Sequence, residues 1–326
     1  MLKKSVLNVF KEKVRKKDLP LYDCRLDLSQ AALLHDDKTG LKVYQVVVLV
    51  FQWVITFHWI LMISLGDDNV QLSISMGDFT RFLDGGRVYV LIPILIWSFM
   101  DCIFRTLCYI SKKLEWLGIF DALNGNKKHK YLNDTLLIRF CKRSIIVFII
   151  MKISLILTFS IIGSIQLITL FQAGSGTEVG FLAGWGLVRI LAAGFLLFSF
   201  LTLTCYGYLT FYYFQLRFST ISDEAENLAR IEGHCIRIGV FQKLNERFNI
   251  ICSHLYVANQ FWKHILSCFY FGCTGFSCFI IYQISFSQLN PMVFATYTAI
   301  LTFNFVCQMI MFVSAASVAA QVRLAS

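Results

Sequence analysis

Residues 180–214 read GFLAGWGLVRILAAGFLLFSFLTLTCYGYLTFYYF, with Arg189 as the single charged side chain. A helix over this stretch rises about 1.5 Å per residue and so extends roughly 50 Å. The hydrocarbon core of a bilayer is about 30 Å thick. The stretch therefore predicts a membrane helix whose far end projects out of the bilayer. Gly174-Ser175-Gly176-Thr177 marks the point where it starts.

Five further stretches, 43–65, 87–110, 144–171, 260–285 and 291–322, are apolar and long enough to cross a bilayer. The sixth, 291–322, is again overlong, and Asn290-Pro291 opens it with a proline suited to a helix's first turn. Hydrophobic residues make up 57% of the 326-residue chain and charged residues only 15%, against roughly 25% charged in ordinary globular proteins. The fold class expected is all-α, a polytopic bundle of six membrane helices with long extensions of the fourth and sixth. A polar tail, 1–42, precedes a bundle spanning 43–326. Nothing along the chain reads as a separate soluble domain, a repeat array or a low-complexity linker.

Lysine and arginine set the orientation. The tail carries ten of them, the segment 111–143 eight, the segment 215–259 five, and Arg323 follows the last span. The remaining loops, 66–86, 173–179 and 286–290, hold Arg81 alone, beside Asp67, Asp68, Asp78 and Asp84. Both termini are thus expected in the cytoplasm of a multi-pass membrane protein. The formal charge of +10 is this asymmetry, so nucleic acid is not expected as a partner. None of the 11 cysteines falls in those three loops, which leaves no extracellular disulfide to build. The sequon Asn133-Asp134-Thr135 lies on the cytoplasmic side.

No phosphate loop, catalytic triad spacing or His-x-x-x-His pair is present. The chain is not expected to be an enzyme or to hold a cofactor or metal. Cys268, Cys273 and Cys278, at intervals of five, suit no metal geometry and read as buried thiols.

The linker into the fifth span, SDEAENLARIEGHCIRIGVFQKLNERFNIICSHLY (222–256), opens with Ser222 and three acids, a helix-start pattern. Leu228, Ile231, Cys235, Ile238, Phe241, Leu244, Phe248, Ile251 and Leu255 then recur at three- and four-residue steps. This stripe predicts a cytoplasmic helix packing on the projecting ends of the fourth and sixth spans. Leu228, Ile238, Phe248 and Ile251 are its expected assembly and anchor positions.

Charges inside spans are functional suspects. Asp101 and Arg105, four apart, read as an ion pair along one helix, and Lys152 as a side chain snorkelling to inner headgroups. Arg189, one turn below Trp185, lies roughly 13 Å from the outer helix end. Snorkelling outward and a pocket role are both open to it. Trp59 and Tyr89 fit an aromatic belt. A dry pocket lined by a few deeper polar groups would use Gln166, Trp185, Arg189, Tyr282 and Tyr297, which lie on four different spans.

Two stretches, KLNERFNIICSHLYVANQFW (243–262) and IMFVSAASVAAQV (310–322), resemble the approach to the fifth helix and the end of the sixth in the arthropod gustatory receptor family. That family shares a superfamily with insect odorant receptors. The few prolines, overlong fourth and sixth helices and very short outer loops are similar to it as well, over about residues 40–322. The family's Thr-Tyr…Gln-Phe signature sits on a seventh, pore-lining helix. The nearest stretch here, TYTAILTFNF (296–305), has six intervening residues and Asn304-Phe305, and it lies early in the sixth span.

The resemblance thus implies the six-helix ligand-binding and anchoring body of a chemosensory receptor subunit, without the pore helix. The complete form implied is a ligand-gated cation channel, a homo- or hetero-tetramer in a lipid bilayer, opened by a small-molecule tastant. A six-helix carrier or transporter and a non-conducting truncated receptor are the alternatives. A carrier would show paired broken helices, whereas the span interiors contain only Pro93. The charge asymmetry makes the first testable statement: an epitope at residue 1 is expected to be reached by antibody only after cells are permeabilised, with Asn133 unglycosylated.

Overall fold

The computed structural model describes residues 39–65, 69–82, 87–110, 132, 134–172, 176–230 and 238–325. Most of the polar tail and Asn133 lie outside them. Among the described residues are seven α-helices, one 3-10 turn and no strand. In chain order these are α1 (Thr39–Ser64), α2 (Val70–Ser75), the 3-10 turn Phe79–Phe82, α3 (Arg87–Ile110), α4 (Asp134–Gln172), α5 (Gly176–Ala229), α6 (Ile238–Phe286) and α7 (Pro291–Ala325). All but α2 are long and apolar enough to cross a membrane, so the all-α six-span architecture is the one observed. Ser64 and Arg87, Gln172 and Gly176, and Phe286 and Pro291 close the helices at one end of the bundle, termed here the short-loop end.

Helix α5 occupies the centre and touches every other helix. Of its apolar stretch 56% is buried within the chain, against 17% for α4 at the periphery. A helix that is apolar on all sides must be enclosed by other helices or by lipid. Here Leu197, Leu209, Tyr213, Phe214 and Phe218 are enclosed by helices. Gly207 lets α7 approach, since a Cβ there would run into the Met311 side chain. Hydroxyls on α5 return to their own helix, Thr202 donating to the Phe198 carbonyl at 2.7 Å and Thr210 to that of Tyr206 at 2.8 Å. Such bonds satisfy polar groups that hydrocarbon would leave unpaired.

Two polar ties lock neighbouring helices. Asn304 on α7 donates to the Cys273 carbonyl at 3.0 Å and to Ser277 at 2.7 Å on α6. The Asp101–Arg105 pair forms along α3 at 2.8 Å, and Arg105 also donates to the Phe195 carbonyl of α5 at 2.5 Å. The ion pair is therefore a strut between helices as well as an intrahelical contact.

At the opposite end α4, α5, α6 and α7 project together. Helix α5, with 54 residues, extends about 80 Å. It runs without interruption through Ser222 to Ala229, which corrects the expected helix start at Ser222. No glycine or proline lies between Gly207 and Ala229, and Leu216, Phe218 and Ile221 carry the buried face onward. The acids meet partners instead of capping: Glu224 holds Arg247 of α6 through two bonds, 2.6 and 3.1 Å, and Glu226 pairs with Arg230. Helix α4 likewise starts at Asp134, well before residue 144, and α1 starts at Thr39, within the stretch assigned to the tail.

The linker stripe meets this body only in part. Ile251 is buried and Phe248 half-buried against Phe218, 6.0 Å between ring centroids. Leu228 is half-buried at the end of α5. Of Ile238 the helix start alone is described, and Ile231 and Cys235 fall outside the described residues. Phe241 is 62% exposed. A seven-residue stripe drifts by about 20° per heptad around a straight α-helix, so positions toward the start of α6 rotate off the face set by Ile251 and Trp262. Ile251→Asp is accordingly expected to lower chain stability by about 3 kcal/mol or more, while Phe241→Asp changes it by less than about 1 kcal/mol. Thermal unfolding of the purified single chain in detergent checks both, and equal losses would contradict this packing.

Candidate ligand-binding site

The segment between α1 and α3 folds back over the short-loop end. Helix α2 stops at Ser75, and Gly77 turns the chain with φ +81°, a left-handed value that favours glycine. Buried Asp78 then accepts hydrogen bonds from the Thr80 amide at 3.1 Å and the Thr80 hydroxyl at 2.5 Å, and it pairs with Arg87. Arg87 also donates to the Met62 carbonyl, which ties the segment to the end of α1.

Helix α5 holds this segment from below. The Trp185 indole donates to the Ser75 carbonyl at 3.2 Å, and its ring stacks on His58 of α1 with centroids 4.1 Å apart. One turn further along, Arg189 donates to the Gly77 carbonyl and carries its guanidinium over the Phe79 ring, 4.6 Å from the centroid. Contact is so close that a Cβ on Gly77 would fall inside the Trp185 side chain.

Beneath the clasp lies a cavity of about 120 Å³ to which all six membrane helices contribute. Ile55 and Trp59 come from α1, Pro93 and Trp97 from α3, Ile162 and Gln166 from α4. Arg189, Ala192 and Ala193 come from α5, Phe276 from α6, and Tyr297 and Ile300 from α7. The space exists because Ala192 and Ala193 are small where α5 faces the opposing aromatics. For scale, a dry apolar cavity of about 150 Å³ takes up benzene.

Most polar groups on the wall are already occupied. Gln52 donates to the Ala192 carbonyl at 3.0 Å, Ser98 shares a 2.7 Å bond with Thr56, Thr296 donates to the Met292 carbonyl at 2.8 Å, and the Tyr297 hydroxyl donates to the Tyr89 carbonyl. Arg189 differs from them. Its side chain is only 6% exposed, and its Nε and Nη2 meet no hydrogen-bond partner among the described residues.

Of the residues expected to share a pocket, the fold brings Gln166, Arg189 and Tyr297 to one cavity wall. Trp185 sits in the roof, behind the loop it holds. Tyr282 lies apart, 57% exposed and beside Phe286. The inward face of α6 is set by Phe276, Ile280 and Gln283, and two residues beyond Ile280 the helix has turned by about 200°. Trp59 faces the cavity and is buried, so it is no belt residue. The roles of Gly77, Phe79, Asp78 and Arg87 were not visible in the sequence. The only hint was an acidic, glycine-bearing loop too long for a tight turn.

The bundle and its cavity define a class, a multi-pass helical membrane protein with a cavity among its helices near one end. Among solved structures the chain is similar to the insect olfactory receptor OR5 from Machilis hrabei. The TM-score is 0.68 at 11% sequence identity, covering 88% of this chain and 74% of that one. At so low an identity the likeness shows the fold. No protein-family model matches the chain, and no curated protein matches it.

The clasp yields a prediction about Gly77. Gly77→Ala is expected to cost at least about 2 kcal/mol, from the left-handed backbone and the displaced Trp185 together. Gly163→Ala, where an added Cβ meets nothing within 4 Å, is expected to be neutral or slightly stabilising. Melting curves of the two variants in the same detergent compare them directly, and indistinguishable midpoints would remove the clasp.

Proposed function

We propose that the chain is a chemosensory receptor subunit of the gustatory type, the ligand-binding and anchoring body of a ligand-gated cation channel of the plasma membrane. The observation that carries this reading is a cavity walled by all six membrane helices beneath a clasped loop, in a fold shared with an insect olfactory receptor. In this reading the short-loop end faces outward and the projecting helices lie in the cytoplasm, as the lysine and arginine distribution implies.

A small molecule entering the cavity touches every membrane helix at once, so its binding energy bears on their relative positions. A ligand shifts a conformational equilibrium only by its differential affinity for the two states, and a chamber shared by six helices supplies that difference when the helices shift. The tetramer implied by the resemblance would assemble through the projecting body. Phe248 and Ile251 serve assembly there by holding α6 against α5, while Phe241, Ile250, Tyr256 and Val257 on the exposed side of α6 offer the apolar surface to neighbouring subunits.

Filling the chamber tests the reading. Ala193→Trp introduces an indole into the space without removing any hydrogen bond. It is expected to abolish thermal stabilisation by small apolar ligands such as benzyl alcohol and to leave surface expression near that of the unmodified chain. Ligand binding that survives in the filled variant would show that the cavity is not the binding site.

A further inference from the structure

The cavity's chemistry narrows what it takes up, an inference that rests on the cavity being the ligand site. Its walls are overwhelmingly apolar, and the polar groups of Gln52, Ser98, Thr296 and Tyr297 already bond to the protein. A polyhydroxylated molecule such as a sugar would bury several hydroxyls with no partner there, each at a cost of kilocalories. The Gln166 amide and Arg189 are too few to meet the hydroxyls of a sugar, which therefore does not suit this cavity.

Arg189 is the charged group on that wall. Of its three guanidinium nitrogens, Nη1 is bound to the Gly77 carbonyl while Nε and Nη2 have no hydrogen-bond partner among the described residues. No carboxylate among the described residues bonds to it. Asp78, on the same loop, is engaged by Thr80 and Arg87. Buried polar groups are otherwise almost always hydrogen-bonded, and a charged group within a membrane span normally has an identifiable partner. Holding the loop does not by itself require this guanidinium, because the Trp185 indole already bonds to the same loop through Ser75. The two idle donors are adjacent in a planar fork, the geometry that receives a carboxylate through two parallel bonds.

We propose that the cavity's ligand is a small monocarboxylate whose apolar part is about the size of one aromatic ring. The apolar part fills the space between Trp59, Trp97 and Phe276, and the guanidinium of Arg189, whose Nε and Nη2 are buried in the unliganded cavity, turns to meet the carboxylate with them. The hydrogen-bond acceptor these two donors lack is supplied by the ligand, and Arg189 selects for negative charge in a cavity that otherwise selects chiefly for size.

The test uses the full chain in lipid nanodiscs with three probes of one ring size, benzoate, benzyl alcohol and benzylamine, and reads affinity by calorimetry. Benzoate is expected to bind at least about tenfold more tightly than benzyl alcohol, the effect of hydrogen bonds to a charged group, and benzylamine not at all. Arg189→Gln is expected to erase the preference for benzoate while leaving benzyl alcohol binding in place, and Arg189→Lys to retain part of it. Should Arg189→Gln fail to fold, the order of the three probes on the unmodified chain decides alone. Benzyl alcohol binding as tightly as benzoate, or a preference that survives Arg189→Gln, overturns the anion assignment and leaves the cavity standing. Absence of binding by all three probes removes the cavity reading and this inference together.

Discussion

The apolar length of α5, residues 180–214, leaves no face that water or a polar neighbour can occupy, and the remaining helices are arranged around it. It touches every other helix, and its buried residues run from Leu182 near one end to Ile221 near the other. Because hydrocarbon offers no competing hydrogen bonds, the enclosure depends on close packing and on a few polar ties. Gly207 against Met311, Arg105 on the Phe195 carbonyl and Gln52 on the Ala192 carbonyl each attach a different helix to α5. Displacing α5 would disturb the chamber, the clasp and the projecting body together.

The two ends of α5 carry out different tasks with similar means. At the short-loop end Trp185 and Arg189 grip backbone carbonyls of the α1–α3 segment, closing the chamber with a loop that has little apolar surface of its own. At the far end Phe218 packs on Phe248 of α6, Ile221 is buried, and Glu224 meets Arg247. The second pair is surface-exposed and adds at most about 1 kcal/mol, so the projecting body is held chiefly by its apolar contacts. One continuous helix common to both regions links the cavity to the projecting body.

Much of the architecture was legible along the chain. Six apolar stretches, their lengths and the segregation of lysine and arginine follow from the thickness of a bilayer and the cost of burying charge, and both act on sequence directly. The continuation of α5 through Ser222 was not legible. A local acid-rich helix-start pattern competes there with a buried face that continues, and only the partners of Leu216, Phe218 and Ile221 show that packing prevails over capping. For the same reason the stripe on α6 does not by itself show which of its residues meet α5. Periodicity records which residues are apolar, but the face that meets α5 is set by helix phase accumulated from Trp262 backward, which leaves Phe241 outside.

Sequence by itself determined that this is a six-span helical membrane protein with projecting helices and an arginine within its fourth span, because these properties depend on one segment at a time. Tertiary structure alone decided which side chains meet: Gln166, Arg189 and Tyr297 on one wall, Tyr282 turned away, Trp59 inside and not at a belt. It alone showed that a glycine and an aspartate in a loop close the chamber. Such facts depend on rotation about helix axes and on distances between segments more than a hundred residues apart. Hydrophobicity does not encode them, since in a membrane both faces of a helix can be apolar.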